Sequence, residues 1–239
     1  EAHRLQRRVN LANYASFDNV NKELELGEEG TQLDWVCMNA KHTVLLYDEN
    51  QSVRPADIRP KDITGLQARE YVLQSQMRVQ GGDEYIRFID NLFALQTTHQ
   101  PDFSDYEFKV YDDIHSMVSD VKEKNKQHGL SRVVAGYAWP WETKKNKDAY
   151  DIEIDGLKLR WNSQVQDWVN SENSINEVGC IHTIQGYDLN YVGVIIGPEL
   201  QYDPVKQKLV VDKEQYKDFN GKRSISDPSE LERYIINIY

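Results

Sequence analysis

Apolar residues recur at helical spacing in the first forty positions of this chain and gather into short strand-like runs beyond them. In SFDNVNKELEL (16–26) they fall at 17, 20 and 24, which predicts a short helix with Ser16 as its N-cap; TQLDWVCMNA (31–40) predicts another, capped by Thr31. HTVLLYD (42–48) is a compact β-run that ends in a polar elbow, Asp48 to Gln51. RPADIRPKDITG (54–65) reads as a loop, EYVLQSQMR (70–78) as a strand, and GDEYIRFIDNLFAL (82–95) as an amphipathic helix with Tyr85, Ile86, Ile89, Leu92 and Phe93 on one stripe. From about residue 105 the alternation becomes regular. YEFKVYD (106–112) is a predicted strand, DDIHSMVSDVKEKNKQHG (112–129) a helix with acid at its start and Gly129 past its end, and SRVVAGYAW (131–139) the next strand. YDIEIDGLKLRWN (150–162) alternates and turns at Asp155-Gly156, so a hairpin is inserted here. EVGCIHT (177–183) and YVGVIIG (191–197) are two more core strands, LQYDPVKQKLVVD (200–212) a second hairpin, and SDPSELERYIINIY (226–239) a helix opened by Asp227 and Pro228. Strand, helix, strand with short links predicts an α/β fold with a mostly parallel sheet and flanking helices.

The bulk numbers fit a globular protein: 239 residues, 39% hydrophobic and 28% charged, enough to bury a sizeable core. No window approaches a membrane span. The two cysteines, Cys37 and Cys180, both sit among apolar neighbours, the habit of reduced, buried thiols in a cytoplasmic protein, and no metal site is expected. A net charge of −11 argues against a broad nucleic-acid surface but leaves room for local basic strips; the candidates RLQRR (4–8) and ETKKNK (142–147) read first as a solvated face or loop. Neither end has the look of a natural terminus, so the chain is expected to be a piece of a longer protein.

Polar clusters follow the strand-like runs, where parallel α/β sheets place their ligand sites. EAHR opens the chain. The elbow of VLLYDENQS offers a carboxylate and an amide, Asp48 and Gln51, suited to a metal-bound water or a phosphate, or to an Asx turn. Arg78 in QSQMR has the fixed planar fork that phosphate favours, and equally that of a surface ion pair. In CIHTIQGYDLN, His182, Thr183, Gln185 and Asp188 crowd around Gly186, which permits close backbone approach.

In this order, EAHR, VLLYDENQSVRP, SQMR and IHTIQGYDLNYVGVIIGPEL resemble a superfamily 1-type P-loop helicase, and within that group the Schlafen group 3-type DNA/RNA helicase domain, taken as a bacterial family. The resemblance implies a RecA-like P-loop NTPase fold, with residues 1–74 the end of a first lobe and 75–239 most of a second. It implies ATP and Mg²⁺ as cofactors and single-stranded DNA or RNA as partner. Glu1 resembles the Walker B glutamate that polarises the attacking water, Gln51 the third-motif glutamine that senses the γ-phosphate, and Arg78 the fourth-motif arginine finger. Asp48 belongs to the same nucleotide-facing set. Gln185, Gly186 and Asp188 match the fifth motif, which faces ribose and the nucleic-acid backbone, with His182 and Thr183 beside it; the cluster would line the cleft between two lobes. No phosphate loop G-x-x-x-x-G-K-[ST] occurs in the chain, nor does the sixth motif, so residues 1–239 alone are expected not to hydrolyse ATP.

Two other classes remain open on the residues themselves. One is a helicase-shaped nucleic-acid-binding module without hydrolysis; the other is a Mg²⁺-dependent nuclease built on Asp48, Glu49 and Asp188. The aromatic-rich segment 137–168 admits two readings as well. Trp139, Trp141 and Trp161, with Lys144, Lys145 and Lys147, either stack the bases and hold the phosphates of a single strand or roof the core under the inserted hairpin.

Overall fold

The computed structural model describes residues 1–73, 79–96, 99–103 and 106–239. In chain order the helices are α1 (Tyr14–Glu23), α2 (Gln32–Met38), α3 (Pro60–Thr64), α4 (Gly82–Phe93), α5 (Ile114–His128), α6 (Ile181–Ile184), α7 (Phe219–Lys222) and α8 (Pro228–Ile236). The strands are β1 (Ser131–Ala135), β2 (Ile152–Ile154), β3 (Leu157–Trp161), β4 (Glu177–Cys180), β5 (Tyr191–Ile195), β6 (Leu200–Asp203) and β7 (Lys208–Val211). The chain forms two compact units: Glu1–Tyr71 with Asp218–Ile238, and Val72–Lys217 with Tyr239.

The first unit is built from short helices and turns. Asn13 caps α1 by accepting from the Ser16 amide at 3.1 Å, so the cap lies one turn before the expected Ser16. Thr31 caps α2 as expected: its hydroxyl accepts from the Asp34 amide at 3.2 Å while the Asp34 carboxylate accepts from the Thr31 amide at 2.7 Å. Asn10 joins distant stretches, donating to the Asn220 carbonyl at 3.0 Å and accepting from Arg223 Nε at 2.9 Å. Cys37 is only half-buried, which corrects the expectation of two buried thiols; Cys180 is buried as expected.

The second unit is an α/β sandwich around a five-stranded sheet of order β2-β3-β4-β1-β5. β3, β4, β1 and β5 are all parallel, and β2 joins β3 as an antiparallel hairpin through Asp155-Gly156. β1 lies between β4 and β5 and is buried along its whole length, as a strand covered on both faces must be. On one face Val133, Ala135, Val178, Cys180, Leu159 and Trp161 pack against Met117, Val118 and Val121 of α5. On the other face Arg132 of β1 sends its guanidinium to the Val169 carbonyl, 3.1 Å from Nε, and to Asn125 Oδ1 at 2.8 Å. A buried cation is thereby kept hydrogen-bonded. α5 starts where acid was expected, with Asp113 accepting from the amides of His115 and Ser116, and Gly129 ends it at φ +70°. β6 and β7 form the second hairpin.

Two strand-like runs, 42–48 and 106–112, form no strand, and a third, 70–78, lies partly outside the described residues. Residues 42–48 are extended but enter no ladder, with Val44 89% exposed. Residues 106–112 run along α5 and are held by side chains: Lys109 pairs with Asp120 at 2.6 Å, Tyr111 donates to Asp120 at 2.8 Å and Lys124 pairs with Glu107 at 2.9 Å. Of 70–78, residues 70–73 are exposed and unladdered, and the rest, Arg78 included, lies outside the described residues. A strand needs a neighbour as well as an apolar run, and that neighbour is not a local property.

Two positions set the packing of β5. Gly193 faces α5, where an added Cβ would lie 2.2 Å from Met117 Sδ and 2.9 Å from Val121 Cγ2. Just past β5, Glu199 is fully buried: one carboxylate oxygen takes the Tyr239 hydroxyl and the other has no hydrogen-bond partner among the described residues. Burial pushes the Glu199 carboxyl up from the usual range, opposed by the Tyr239 hydrogen bond.

Gly193→Ala is expected to destabilise the protein by about 1–3 kcal/mol through overpacking against α5, read from the urea midpoint. Glu199 makes a pH test. Its folded-state affinity for the proton exceeds the unfolded one, so its stabilising contribution is complete below the ordinary glutamate value and is lost as pH rises towards the raised folded value. Wild-type stability measured by urea unfolding should therefore fall from pH 5 to 8 relative to Glu199→Gln, and parallel profiles would show that Glu199 folds as an ordinary ionised carboxylate.

Candidate functional site

The expected site residues fall into two sets, one in each unit. In the first unit the opening residues and the polar elbow come together because the backbone of Ala2 donates to the Leu46 carbonyl at 2.7 Å. Glu1 stands exposed at the head of a short 3-10 turn, Ala2–Arg4. Asp48 caps the following 3-10 turn, Glu49–Gln51, accepting from the Asn50 amide at 3.0 Å and from the Gln51 side chain at 2.9 Å. The Asn237 side chain, just beyond α8, donates to the carbonyls of Ser52 at 2.9 Å and Glu49 at 3.2 Å, so the turn is pinned from behind.

His3 lies between these groups and was not singled out by sequence. It is 3% exposed, and neither ring nitrogen has a hydrogen-bond partner among the described residues. Burial lowers its pKa, while the negative charges of Glu1 and Asp48 pull the other way, which places both carboxylates within electrostatic reach of one imidazole. Nothing in EAHR announces that its histidine is buried, so sequence patterning had no signal for it.

The second set sits at the carboxyl edge of the parallel sheet. α6 begins directly after β4, so His182 and Thr183 follow Cys180 without a loop. His182 is half-buried; Thr183 is buried, with its hydroxyl 3.2 Å from Cys180 Sγ. Gln185 closes the helix, its amide donating to Ile181 O at 3.1 Å. Gly186 takes φ +93°, a region that only glycine enters without strain, and it turns the chain so that Asp188 is exposed. Asp48 and Glu49 lie in the first unit and Asp188 in the second. Among the described residues no three His, Cys, Asp or Glu side chains gather as a metal site, so the nuclease arrangement finds no geometric support.

β1 is parallel to β4, so the segment after it, Gly136 to Trp141, leaves from the same edge. Its aromatic residues chiefly roof the core. Tyr137, Trp139 and Trp141 pack against the cluster of α5 and the sheet, and Tyr137 stacks on Trp161 at 5.6 Å between centroids. Trp161 is 1% exposed, so of its two readings it takes that of a core residue: the alternation of β3 turns it inward. Trp139 and Trp141 stay half-buried, and Lys144 Nζ lies 3.8 Å from the Trp141 ring centroid. Glu199 and Tyr239, past the end of β5 and β1's neighbouring edge, also went unmarked by sequence, since nothing local distinguishes a buried glutamate from a solvated one.

Among known proteins, the family model of the Schlafen group 3 DNA/RNA helicase domain matches residues 1–239. An uncharacterized protein of Saccharomyces cerevisiae, YPL245W, is 29% identical over 236 residues, covering 82% of this chain and 50% of the relative. The chain thus spans about half the length of that relative, which comes from a yeast and not from a bacterium. No solved structure matches. No helix among the described residues is long and apolar enough to cross a membrane. With a match that runs the whole chain, this protein belongs to the Schlafen group 3 DNA/RNA helicase domain family.

Proposed function

We propose that the chain is part of a nucleic-acid-dependent ATPase, a helicase or translocase that acts on single-stranded DNA or RNA in the cytoplasm and uses ATP and Mg²⁺. The observation that supports this best is that the opening residues are joined to the segment of the polar elbow through the Ala2 amide and the Leu46 carbonyl, with the charges of both Glu1 and Asp48 acting on buried His3, although the two segments lie more than forty residues apart in sequence. Phosphoryl transfer asks a protein for positioning and charge neutralisation, with little covalent chemistry of its own. In this reading Glu1 polarises the attacking water, Asp48 and Gln51 carry the state of the γ-phosphate to the rest of the unit, and Arg78 neutralises charge in the transition state. Gln185, Gly186 and Asp188 face ribose and nucleic-acid backbone, beside His182 and Thr183, and the lobes are RecA-like.

A helicase-shaped binding module without hydrolysis is the second reading, favoured by one observation: the 239 residues hold no G-x-x-x-x-G-K-[ST] loop. Hydrolysis is therefore measured on the full-length protein with and without single-stranded DNA and RNA. Stimulation by one of them is expected, with Glu1→Gln and Gln51→Ala each losing tenfold or more. Arg78→Ala should lose roughly 10³-fold while still binding nucleotide. A folded full-length protein that hydrolyses no ATP under any of these conditions would leave the binding module as the function.

A further inference from the structure

The inserted hairpin carries an exposed aromatic ring that the core does not use. Tyr150 is 50% exposed, and the guanidinium carbon of Arg160 lies 4.6 Å from its ring centroid. Arg160 is fixed in that place by backbone, with Nε donating to the Ala149 carbonyl at 2.9 Å and Nη2 to the Asp148 carbonyl at 3.3 Å. One side of the ring is thus backed by a held cation, while half of the residue remains open to solvent. A second pair of the same kind, Lys144 over Trp141, stands on the segment after β1.

Both pairs are tied to one buried carboxylate. Asp151, next to Tyr150 in sequence, accepts from the Thr143 amide and hydroxyl, each at 2.8 Å, and from the Trp161 amide at 2.8 Å. Thr143 lies in the turn that carries Lys144, and Trp161 follows Arg160 in β3. The two cation–aromatic pairs are therefore held on a common rigid support, which surface side chains joined only by solvent would lack.

The charge pattern gives the ligand. Lys144, Lys145, Lys147 and Arg160 form no ion pair with a carboxylate among the described residues, although the chain as a whole carries −11 and Glu142 and Asp148 lie within the same stretch. Lysines elsewhere do find partners, Lys109 with Asp120 and Lys124 with Glu107 among them, and on the hairpin itself Lys158 lies 3.7 Å from Glu153. Cations without a carboxylate, set beside aromatic rings of which Tyr150 is half open to solvent, match a polymer of alternating phosphates and flat rings.

We propose that Tyr150, backed by Arg160, is a base-stacking residue for single-stranded nucleic acid, with Lys144, Lys145 and Lys147 contacting the adjoining phosphates. The proposal rests on the nucleic-acid reading above and extends its track from Trp139 and Trp141 onto the hairpin. Arg160 acts on the ring from behind as a positioning residue and leaves the base to Tyr150.

The test is fluorescence anisotropy of labelled oligo-dT and oligo-U with the full chain, alongside an abasic strand of equal length. Tyr150→Ala is expected to weaken binding of the base-bearing strands about tenfold, Tyr150→Phe to stay within twofold of wild type, and neither to change binding of the abasic strand. Because Tyr150 is half exposed, both variants should keep the wild-type urea midpoint, which separates lost stacking from lost folding. Wild-type binding that Tyr150→Ala leaves within twofold would overturn the stacking role and leave the family-level reading standing. Failure of the folded wild type to bind any single strand would overturn both.

Discussion

Parallel pairing of β1 with both β4 and β5 is the constraint on which the second unit depends. Parallel strands cannot be joined by tight turns, so each must be reached by a crossover that carries the chain over a face of the sheet. That requirement brings the turns around Trp168 and Ser174 over the sheet between β3 and β4 and α6 between β4 and β5, while α5, which leads into β1, covers the face of Val133 and Ala135, so that β1 is buried throughout. It also fixes where irregular chain must emerge. The segments after β1, β3, β4 and β5 leave from one edge, which gathers Trp139 and Trp141, Asn162, the His182–Asp188 turn and Glu199 although they are far apart in sequence.

Much of this was legible locally. The Asp155-Gly156 hairpin, the Asp113-to-Gly129 helix and the Asp227-Pro228 helix start each carry their own signal within a few residues, a turn or a cap whose partners are close by. The runs at 42–48 and 106–112 have equally strong β composition and form no ladder. One is exposed, and the other is bound to α5 by Lys109, Tyr111 and Glu107. Composition reports that a segment suits a pleated surface; pairing depends on what the fold sets beside it.

The site divides in the same way. Gln185-Gly186 was readable because a left-handed turn between two apolar runs demands glycine, and the structure gives it φ +93°. His3 and Glu199 were not, since a titratable residue becomes unusual only when tertiary packing removes its water, and no neighbour in sequence records that. Burial shifts the two in opposite senses: the imidazole gives up its proton more readily and the carboxyl holds its own more tightly.

Burial likewise sorts the aromatic segment into two jobs. Trp161 and Tyr137 stack inside, where they supply apolar area to the core, while Trp141 and Tyr150 reach the surface with a cation over each ring. A surface ring stripped of support would lose orientation on solvation, and a buried one offers no face to a ligand. Asp151 reconciles the two demands. Its carboxylate is bound to the core strand through Trp161 and to the surface turn through Thr143, so the rigidity of the sheet is passed to the rings outside it. A polar group buried this deeply is tolerable because three donors converge on it. The same three bonds make the hairpin a fixed part of the sheet's edge.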